Sequence, residues 1–371
     1  MEIIEPSFNL DTQERIRVDW SDLPIEMLQE ISKKLYDIFD FVYFRAVCKK
    51  WRSATSISDL PPQLPWLLDD SDKDPGEILR FYSLFSDKIR TINCPMARGK
   101  WFWGPSHGYL FASKRWDDPT PSLLNPLTKD EVTIEIRPDV GPVLDSMGPD
   151  PIGSDDYMAF TDVPEMKGFY RPHSCEWNFV ELPIDIGSGS CLKGRYYMNE
   201  PETGDTVVIN IACGSYFVIP APKTLDNSDR VYFVESMGKI LRIVKHMDRT
   251  LSLDLTLALC NSNFCFDIYQ LCAEDDMRQS RWVNINCIGN QIVFLDGHNG
   301  ISVTACPSIG IRVNCVYHLE YYYDSYKHRA TVEVYEYSIS DGQTKRVHCP
   351  FINGSTWLVP NLVSSLPAAH H

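Results

Sequence analysis

The residues that most often do chemistry in proteins are spread through this chain without the spacing that catalysis or metal binding requires. The twelve cysteines include no Cys-x-x-Cys pair. The closest group is Cys260, Cys265 and Cys272, and no suitably spaced histidine accompanies it to complete a zinc site. Buried free thiols in a reducing compartment are the simpler interpretation. The sequence therefore predicts no metal site.

The short motifs of common enzymes are also missing from the sequence. It contains no Gly-x-Ser-x-Gly elbow, no phosphate-binding Gly-x-x-x-x-Gly-Lys-Ser/Thr loop and no His-Glu-x-x-His. Gly187 and Gly189 begin a dinucleotide-like pattern, but Leu192 stands where a third glycine is needed. His107 lies just before a strand-like run and is interpreted as structural. We predict no catalytic residue and no cofactor, which leaves binding as the function.

Length and composition restrict the kind of partner. A chain of 371 residues predicts either two domains or a small module with a large domain. The net charge of -15 argues against binding nucleic acid through a basic surface. Since no apolar run approaches the roughly 18 residues of a membrane helix, we expect no membrane insertion. The first residues lack a signal-peptide pattern, so we expect the nucleus, the cytoplasm or both.

Residues 18–57 have a helical pattern unlike the rest of the chain. Pro24 can open a first helix, because its missing N–H is not needed there. Met27, Leu28, Ile31 and Leu35 then recur at helical spacing. A second helix is predicted with Asp40 as its N-cap. Its apolar stripe consists of Phe41, Phe44, Val47, Cys48 and Trp51.

So short a helical segment cannot bury two apolar stripes by itself. The stripes either pack on the rest of the chain or dock against another protein. The residues alone leave both alternatives open.

Residues 78–360 have a different sequence pattern, which predicts short strands separated by turns. β-Branched and aromatic runs such as Thr206–Ile211 and Arg230–Ser236 alternate with Gly, Pro, Asn and Asp. A loose repeat ends near a proline five times, and Trp282 marks a sixth ending. The repeat length suits a β-propeller of about six or seven blades. A tandem of β-sandwiches is the competing architecture, but a closed ring protects its sheet edges better.

Two patterns resemble known families. The run Leu23-Pro24-x-Glu26-Met27-Leu28-x-x-Ile31, followed by Phe44–Cys48 and Trp51-Arg52, resembles the F-box. Residues 106–110, 124–128, 230–236, 282–295 and 313–317 are similar to the KIB-type β-propeller that follows F-boxes in plants. The fold class expected is thus a small all-α F-box module followed by an all-β domain.

The F-box resemblance implies the partners. Members of that family bind a Skp-type adaptor, which joins them to a cullin, so the chain is expected to be the substrate-recognition subunit of a Skp–cullin–F-box ubiquitin ligase. It would be a non-catalytic subunit with a target protein on its propeller. Two alternatives stay open: an F-box interaction protein that does not direct degradation, and a ligand-binding propeller. The predicted adaptor contacts are Leu23, Pro24, Met27, Leu28, Ile31, Leu35, Phe44, Val47, Cys48 and Trp51.

The target surface is predicted from a run of tyrosines. Because successive residues on a strand face opposite sides, consecutive tyrosines cannot all be buried on one face. Aromatic residues on a rim are natural binding anchors. The predicted target contacts are Tyr321, Tyr322, Tyr323 and Tyr326.

The predicted domain limits follow from these patterns. Residues 58–77, rich in Pro and Asp, are interpreted as a connector with a Trp66–Leu68 apolar tether. The predicted divisions are a tail at 1–17, the F-box module at 18–57, the connector at 58–77, the propeller at 78–360 and a second tail at 361–371.

Overall fold

The computed structural model divides the chain into two compact units, Met1–Pro61 and Pro62–His371, and each is described by itself. The structure describes residues 20–35, 37–60, 63–69, 76–104, 106–114, 118–137, 143–148, 157–163, 166–172, 174–181, 189–226, 229–247, 264–273, 279–297, 299–305, 311–324, 329–351 and 354–362.

The first unit is helical. Its helices are α1 (Ile25–Ser32), α2 (Ile38–Ala46) and α3 (Lys49–Ser53), with single 3₁₀ turns at Trp20–Asp22 and Ile57–Asp59.

Local sequence sets the helix boundaries of this unit. Pro24 precedes α1, and its carbonyl accepts the first helical hydrogen bond from the Leu28 N–H at 3.2 Å. The Asp37 carboxylate caps α2 by accepting from the Phe39 N–H at 2.8 Å. The prediction of Asp40 as this cap was wrong, because Asp40 already lies inside the helix.

The second predicted helix is divided in two. Its stripe from Phe41 to Trp51 was treated as one helix, but α2 ends at Ala46 and Cys48 has an extended backbone. The Cys48 carbonyl then accepts from the Arg52 N–H at 3.1 Å to begin α3. This corner turns Trp51 back onto Phe44, with ring centroids 4.6 Å apart.

The second unit consists of short strands. In chain order the first half are β1 (Trp66–Asp69), β2 (Ile78–Ser83), β3 (Lys88–Asn93), β4 (Trp101–Trp103), β5 (Ser106–His107), β6 (Leu110–Ser113), β7 (Ser122–Leu124), β8 (Glu131–Thr133), β9 (Val143–Met147), β10 (Met158–Val163), β11 (Met166–Arg171), β12 (Glu176–Glu181) and β13 (Gly189–Leu192). The second half are β14 (Arg195–Asn199), β15 (Thr206–Asn210), β16 (Tyr216–Ile219), β17 (Arg230–Ser236), β18 (Lys239–Met247), β19 (Phe264–Cys272), β20 (Arg281–Asn284), β21 (Gln291–Asp296), β22 (Asn299–Thr304), β23 (Cys315–Asp324), β24 (Arg329–Ser338), β25 (Thr344–Val347) and β26 (Gly354–Val359).

These strands form six sheets, the blades of a six-bladed β-propeller. Blades 1 to 4 have the orders β4-β6-β7-β8, β9-β10-β11-β12, β13-β14-β15-β16 and β17-β18-β19-β20. Blade 5 has the order β22-β21-β23-β24-β25, and blade 6 the order β26-β1-β2-β3 with β5 beside β26. Contacts from β9 to β13, β13 to β17, β17 to β22 and β26 to β4 identify the inner strands of the ring. The prediction of a propeller with about six or seven blades is confirmed, and the number of blades is six.

The ring closes by joining the two ends of this unit in blade 6. The last strand, β26, pairs antiparallel with β1, placing Trp357 opposite Leu67. On its other edge β26 pairs in parallel with β5 of the next segment. The structure therefore puts Trp66–Leu68, interpreted from sequence as part of a connector, inside the closing blade. A strand so short owes its conformation to a partner nearly 300 residues away, which a local pattern does not reveal.

Blade 5 departs from the simple meander of the other blades. β21 and β22 form a hairpin, and the chain then crosses to the other side of β21. β23 consequently runs parallel to β21, with Cys315 opposite Ile292 and His318 opposite Leu295. The long hairpin of β23 and β24 continues past the ends of β21 and β25.

Candidate functional site

The helical unit has a small core that fixes the positions of its surface residues. Leu28, Phe44 and Ala54 are buried together. The partly buried residues packed against them are Leu23, Ile31, Leu35 and Trp51. Leu28 and Phe44, two of the predicted adaptor contacts, are therefore buried core residues that hold the helices together.

Hydrogen bonds from arginine and tryptophan brace this unit. Arg45 donates to the carbonyl of Thr55 and, at 3.0 Å, to its hydroxyl oxygen. Arg52 Nε donates to the Arg45 carbonyl at 3.3 Å. Trp51 Nε1 donates to the carbonyl of Trp20 at 3.2 Å, which ties the 3₁₀ turn before α1 to α3. The Leu23-Pro24 corner thus starts from a fixed backbone.

Three of the predicted adaptor contacts are exposed on this unit. Pro24 is exposed, Met27 is 52% exposed and Val47 is 58% exposed. Leu23, Ile31, Leu35, Cys48 and Trp51 are half-buried. The predicted set therefore divides into three exposed residues, five half-buried ones and the two buried ones. We call Pro24, Met27 and Val47 the apolar knobs.

Sequence reasoning missed five exposed apolar residues of this unit, and one of them is Ile57 in the second 3₁₀ turn. They lie outside the stripes that face the core, so a search for helical periodicity passes over them. What could have identified them is that they are large apolar residues at positions expected to face solvent. The other four are Trp20, Ile25, Val42 and Tyr43.

The predicted target residues lie at the far end of the β23–β24 hairpin. Tyr321 is 44% exposed, while Tyr322 and Tyr323 continue β23. Tyr326 lies outside the described residues. Beyond His318, β23 pairs with β24 alone among the strands that the structure describes. Tyr321 thus lies on a two-stranded extension of blade 5.

Buried polar groups hold the base of this extension to blade 4. Lys245 of β18 forms an ion pair with Glu320 of β23, and the His318 ring lies 3.3 Å from the same carboxylate. Phe264 packs edge-on against His318, with ring centroids 4.3 Å apart. Burial lowers the pKa of His318 well below its usual value, so the ring is neutral. These contacts fix the strand that presents Tyr321.

One polar cluster on blade 4 has residue types suited to catalysis. His246 Nδ1 lies 3.0 Å from Asp229 and Nε2 lies 3.3 Å from Asp267. Lys223 and Tyr269 both donate to Asp267, at 2.8 and 3.1 Å. Both ring nitrogens therefore face carboxylates, which leaves none directed at a nucleophile. We interpret the cluster as a network that joins the strands of blade 4.

Metal ligands and membrane helices were sought throughout the described ranges. Within them, no three His, Cys, Asp or Glu side chains come close enough to hold a metal ion. None of the helices described is long and apolar enough to cross a membrane.

The fold and its exposed helical surface define a class: a helical F-box module followed by a β-propeller of six blades. A model of the F-box domain matches residues 20–62, and a model of the KIB1-4 β-propeller matches residues 81–340. The chain belongs to the KIB1-4 β-propeller family and carries an F-box domain that precedes the propeller in the sequence. This architecture fits a non-catalytic receptor subunit.

Most of the individual relatives match over a short part of the chain. F-box protein SKIP23 of Arabidopsis thaliana is 51% identical over 55 residues, and the match spans only 14% of each chain. Putative F-box protein At5g66830 of Arabidopsis thaliana is 20% identical over 361 residues, covering 89% of this chain and 88% of its own length. TolB from Acinetobacter baumannii aligns at a TM-score of 0.45 and 9% identity, covering 80% of this chain and 66% of TolB, and adds nothing to the fold assignment.

Proposed function

We propose that the chain is the substrate-recognition subunit of a Skp–cullin–F-box ubiquitin ligase, acting in the nucleus, the cytoplasm or both. The F-box module binds the Skp-type adaptor, and the propeller binds the target protein. The F-box assignment supports an adaptor partner in general, since binding such adaptors is what the family implies.

The observation that carries the proposal is the exposure of the apolar knobs. Met27 and Val47 each leave about half of their side chains in water. A unit of about forty residues has little other apolar surface with which to be stable, so leaving these side chains uncovered has a cost. A partner that covers them recovers that free energy, and the rigid Pro24 loses little entropy on binding.

The proposed contribution to catalysis is proximity. The propeller would hold a target protein so that the lysines of the target lie close to the ubiquitin carrier that the rest of the ligase binds. The transfer then becomes effectively intramolecular, which lowers its barrier by several kcal/mol without a catalytic group from this chain. A closed ring of blades suits this positioning, because its sheets support one another around the whole circle.

We expect the double substitution Pro24→Ala and Met27→Ala to weaken adaptor binding by about 2 kcal/mol, roughly 30-fold in Kd. Both side chains are exposed, so the helical core of Leu28 and Phe44 should stay intact. Calorimetric titration of the purified full chain with a Skp-type adaptor measures the change, and circular dichroism checks that the helices are retained.

The matched control is Met237→Ala. Met237 is 76% exposed, but it lies in the turn between β17 and β18 of the propeller. This substitution should leave adaptor affinity unchanged. Wild-type affinity in the double variant would contradict the assignment of the knobs. If the adaptor binds but target half-life in cells does not depend on the chain, the alternative of an interaction protein without degradation is favoured.

A further inference from the structure

The outer strands of the six blades differ in charge. Each blade ends in an edge strand, and the edges of five blades carry at least one charged residue: Lys88 and Arg90 in β3, Glu131 in β8, Glu176 and Glu181 in β12, Arg281 in β20, and Lys345 and Arg346 in β25. Charges on an edge strand discourage pairing with other chains. The edge of blade 3, β16, has the sequence Tyr-Phe-Val-Ile and carries none.

The hydrogen-bond alternation shows which backbone groups of β16 point outward. The Asn210 N–H donates to the Ser215 carbonyl at 2.8 Å at the start of the β15–β16 hairpin. In an antiparallel pair the bonded positions alternate, so Phe217 and Ile219 bond inward to β15. The N–H and C=O groups of Tyr216 and Val218 consequently point away from the sheet.

The side chains of these same two residues are exposed. Tyr216 is 49% exposed and Val218 is 42% exposed. On the opposite face, Ile219 is fully buried in the core shared by blades 3 and 4, and Phe217 packs partly against that core. The strand is therefore anchored by one face and one edge. Among the residues that the structure describes, no strand pairs with its other edge, so that edge and the exposed face can receive a partner.

Both ends of β16 are fixed as well. At the start, the Gly214 N–H donates to the Asn210 carbonyl at 2.8 Å, in a turn where Gly214 has a φ of 68°. At the end, Pro220 follows the strand and the Ala221 N–H donates to the Asp205 carboxylate at 2.7 Å. An added strand would meet a preformed edge and would lose little free energy in ordering it.

We propose that β16 is a docking edge for an extended, uncharged segment of the target protein, which adds to blade 3 as a further strand. The outward backbone groups require an extended partner, since only a strand presents matching donors and acceptors at this spacing. Tyr216 and Val218 favour β-branched or aromatic residues in that partner. A charged partner residue would find no opposite charge on β16.

A second copy of the chain fits this edge less well than a target segment. Two copies would each bring a net charge of -15, which opposes their association. The inference rests on the proposed role as a target receptor, but its test does not involve the adaptor.

The test uses the full chain and a blocked six-residue peptide of alternating threonine and valine as the probe. We expect the peptide to slow hydrogen exchange at the Tyr216 and Val218 amides by about tenfold or more at saturation, as new hydrogen bonds would. A peptide N-methylated at alternate residues lacks the donors and should give no protection. Protection by both peptides, or by neither, would overturn the proposal.

Two substitutions separate edge docking from a general effect on stability. Val218→Lys places a charge on the edge and should weaken peptide binding about tenfold or more. Val283→Lys is the matched control, because Val283 is an exposed valine on β20, an edge that already carries Arg281. Equal peptide affinity in the two variants would contradict the assignment to β16.

Val218→Pro removes only an outward N–H, so the β15–β16 pairing should survive while the peptide no longer binds. Sedimentation of the free chain gives a further outcome: self-association abolished by Val218→Lys would identify a second copy as the occupant and overturn the proposal. Adaptor binding should be unchanged in all three variants. In the wild-type chain, adaptor binding without peptide binding would refute the docking edge alone, and peptide binding without adaptor binding would refute the ligase role alone.

Discussion

Replacing Trp357 with alanine is expected to lower the free energy of unfolding of the propeller by about 3–5 kcal/mol. Trp357 is a fully buried side chain on the closing strand β26. Its ring packs edge-on against Phe294 of blade 5, with centroids 5.1 Å apart, and its Nε1 donates to the Leu295 carbonyl at 3.1 Å. Alanine would leave a cavity and would remove the indole hydrogen bond at the seam where the ring closes.

Chemical denaturation of the full chain, followed by tryptophan fluorescence and far-ultraviolet circular dichroism, measures this loss. Trp357→Phe is the milder comparison, because it keeps most of the ring volume and removes only the Leu295 hydrogen bond. We expect a cost of about 1–2 kcal/mol for it. An unfolding free energy of Trp357→Ala within 1 kcal/mol of wild type would show that β26 does not secure the closure.

The blade boundaries were among the features best predicted from sequence. Of the loose repeat endings, Trp282 lies inside β20 and Pro138 comes five residues after β8. Pro95, Pro183, Pro220 and Pro350 come within three residues after the outer strands β3, β12, β16 and β25. The reason is local: an edge strand ends where proline removes a backbone donor that the sheet no longer needs. The repeat predicted about six or seven blades, and the structure has six.

Features that depend on distant partners could not be read from the sequence. Trp66–Asp69 is a strand because β26 and β2 lie beside it, although its own surroundings resemble a connector. The parallel pairing of β21 with β23 is equally invisible, since β22 and a crossing connection separate them in the chain. Register is defined between two paired strands, and the local sequence pattern of one strand does not show which strand it pairs with.

The predicted adaptor contacts show that helical periodicity alone does not distinguish buried from exposed residues within one module. Met27, Leu28 and Ile31 of the predicted stripe lie in α1, whereas Leu35 lies beyond the end of that helix at Ser32. Neighbouring residues on a helix point about 100° apart. Leu28 is consequently buried while Met27 faces water. The family pattern names both residues without saying which one holds the module together, and only the packing around Phe44 distinguishes them.

A buried carboxylate at the same closure gives the second large prediction. Asp296, at the end of β21, is fully enclosed and accepts from the Thr356 hydroxyl at 2.5 Å and the Trp357 N–H at 3.3 Å. Burial raises the pKa of Asp296 from 3.8 to about 7, because two hydrogen bonds do not replace the lost water. Blades 5 and 6 therefore meet at a carboxyl group whose protonated form costs less free energy to bury than its charged form.

The sign of the pH dependence follows from proton counting. Between pH 4 and 7 the folded chain keeps the Asp296 proton that the unfolded chain releases, so the free energy of unfolding falls as pH rises through this window. The loss is complete above pH 7 and approaches about 4 kcal/mol. Asparagine imitates the protonated acid and does not titrate.

We therefore expect Asp296→Asn to match wild type near pH 4 and to be more stable than wild type by up to about 4 kcal/mol at pH 8. Denaturant unfolding of both full chains at a series of pH values measures the difference, which cancels the titration of groups that the two chains share. Parallel curves from pH 4 to 8 would show that Asp296 is charged in the folded state at no cost. A difference that grows through pH 7 would identify this carboxylate as a pH-dependent weak point of the ring, at the seam that Trp357 secures.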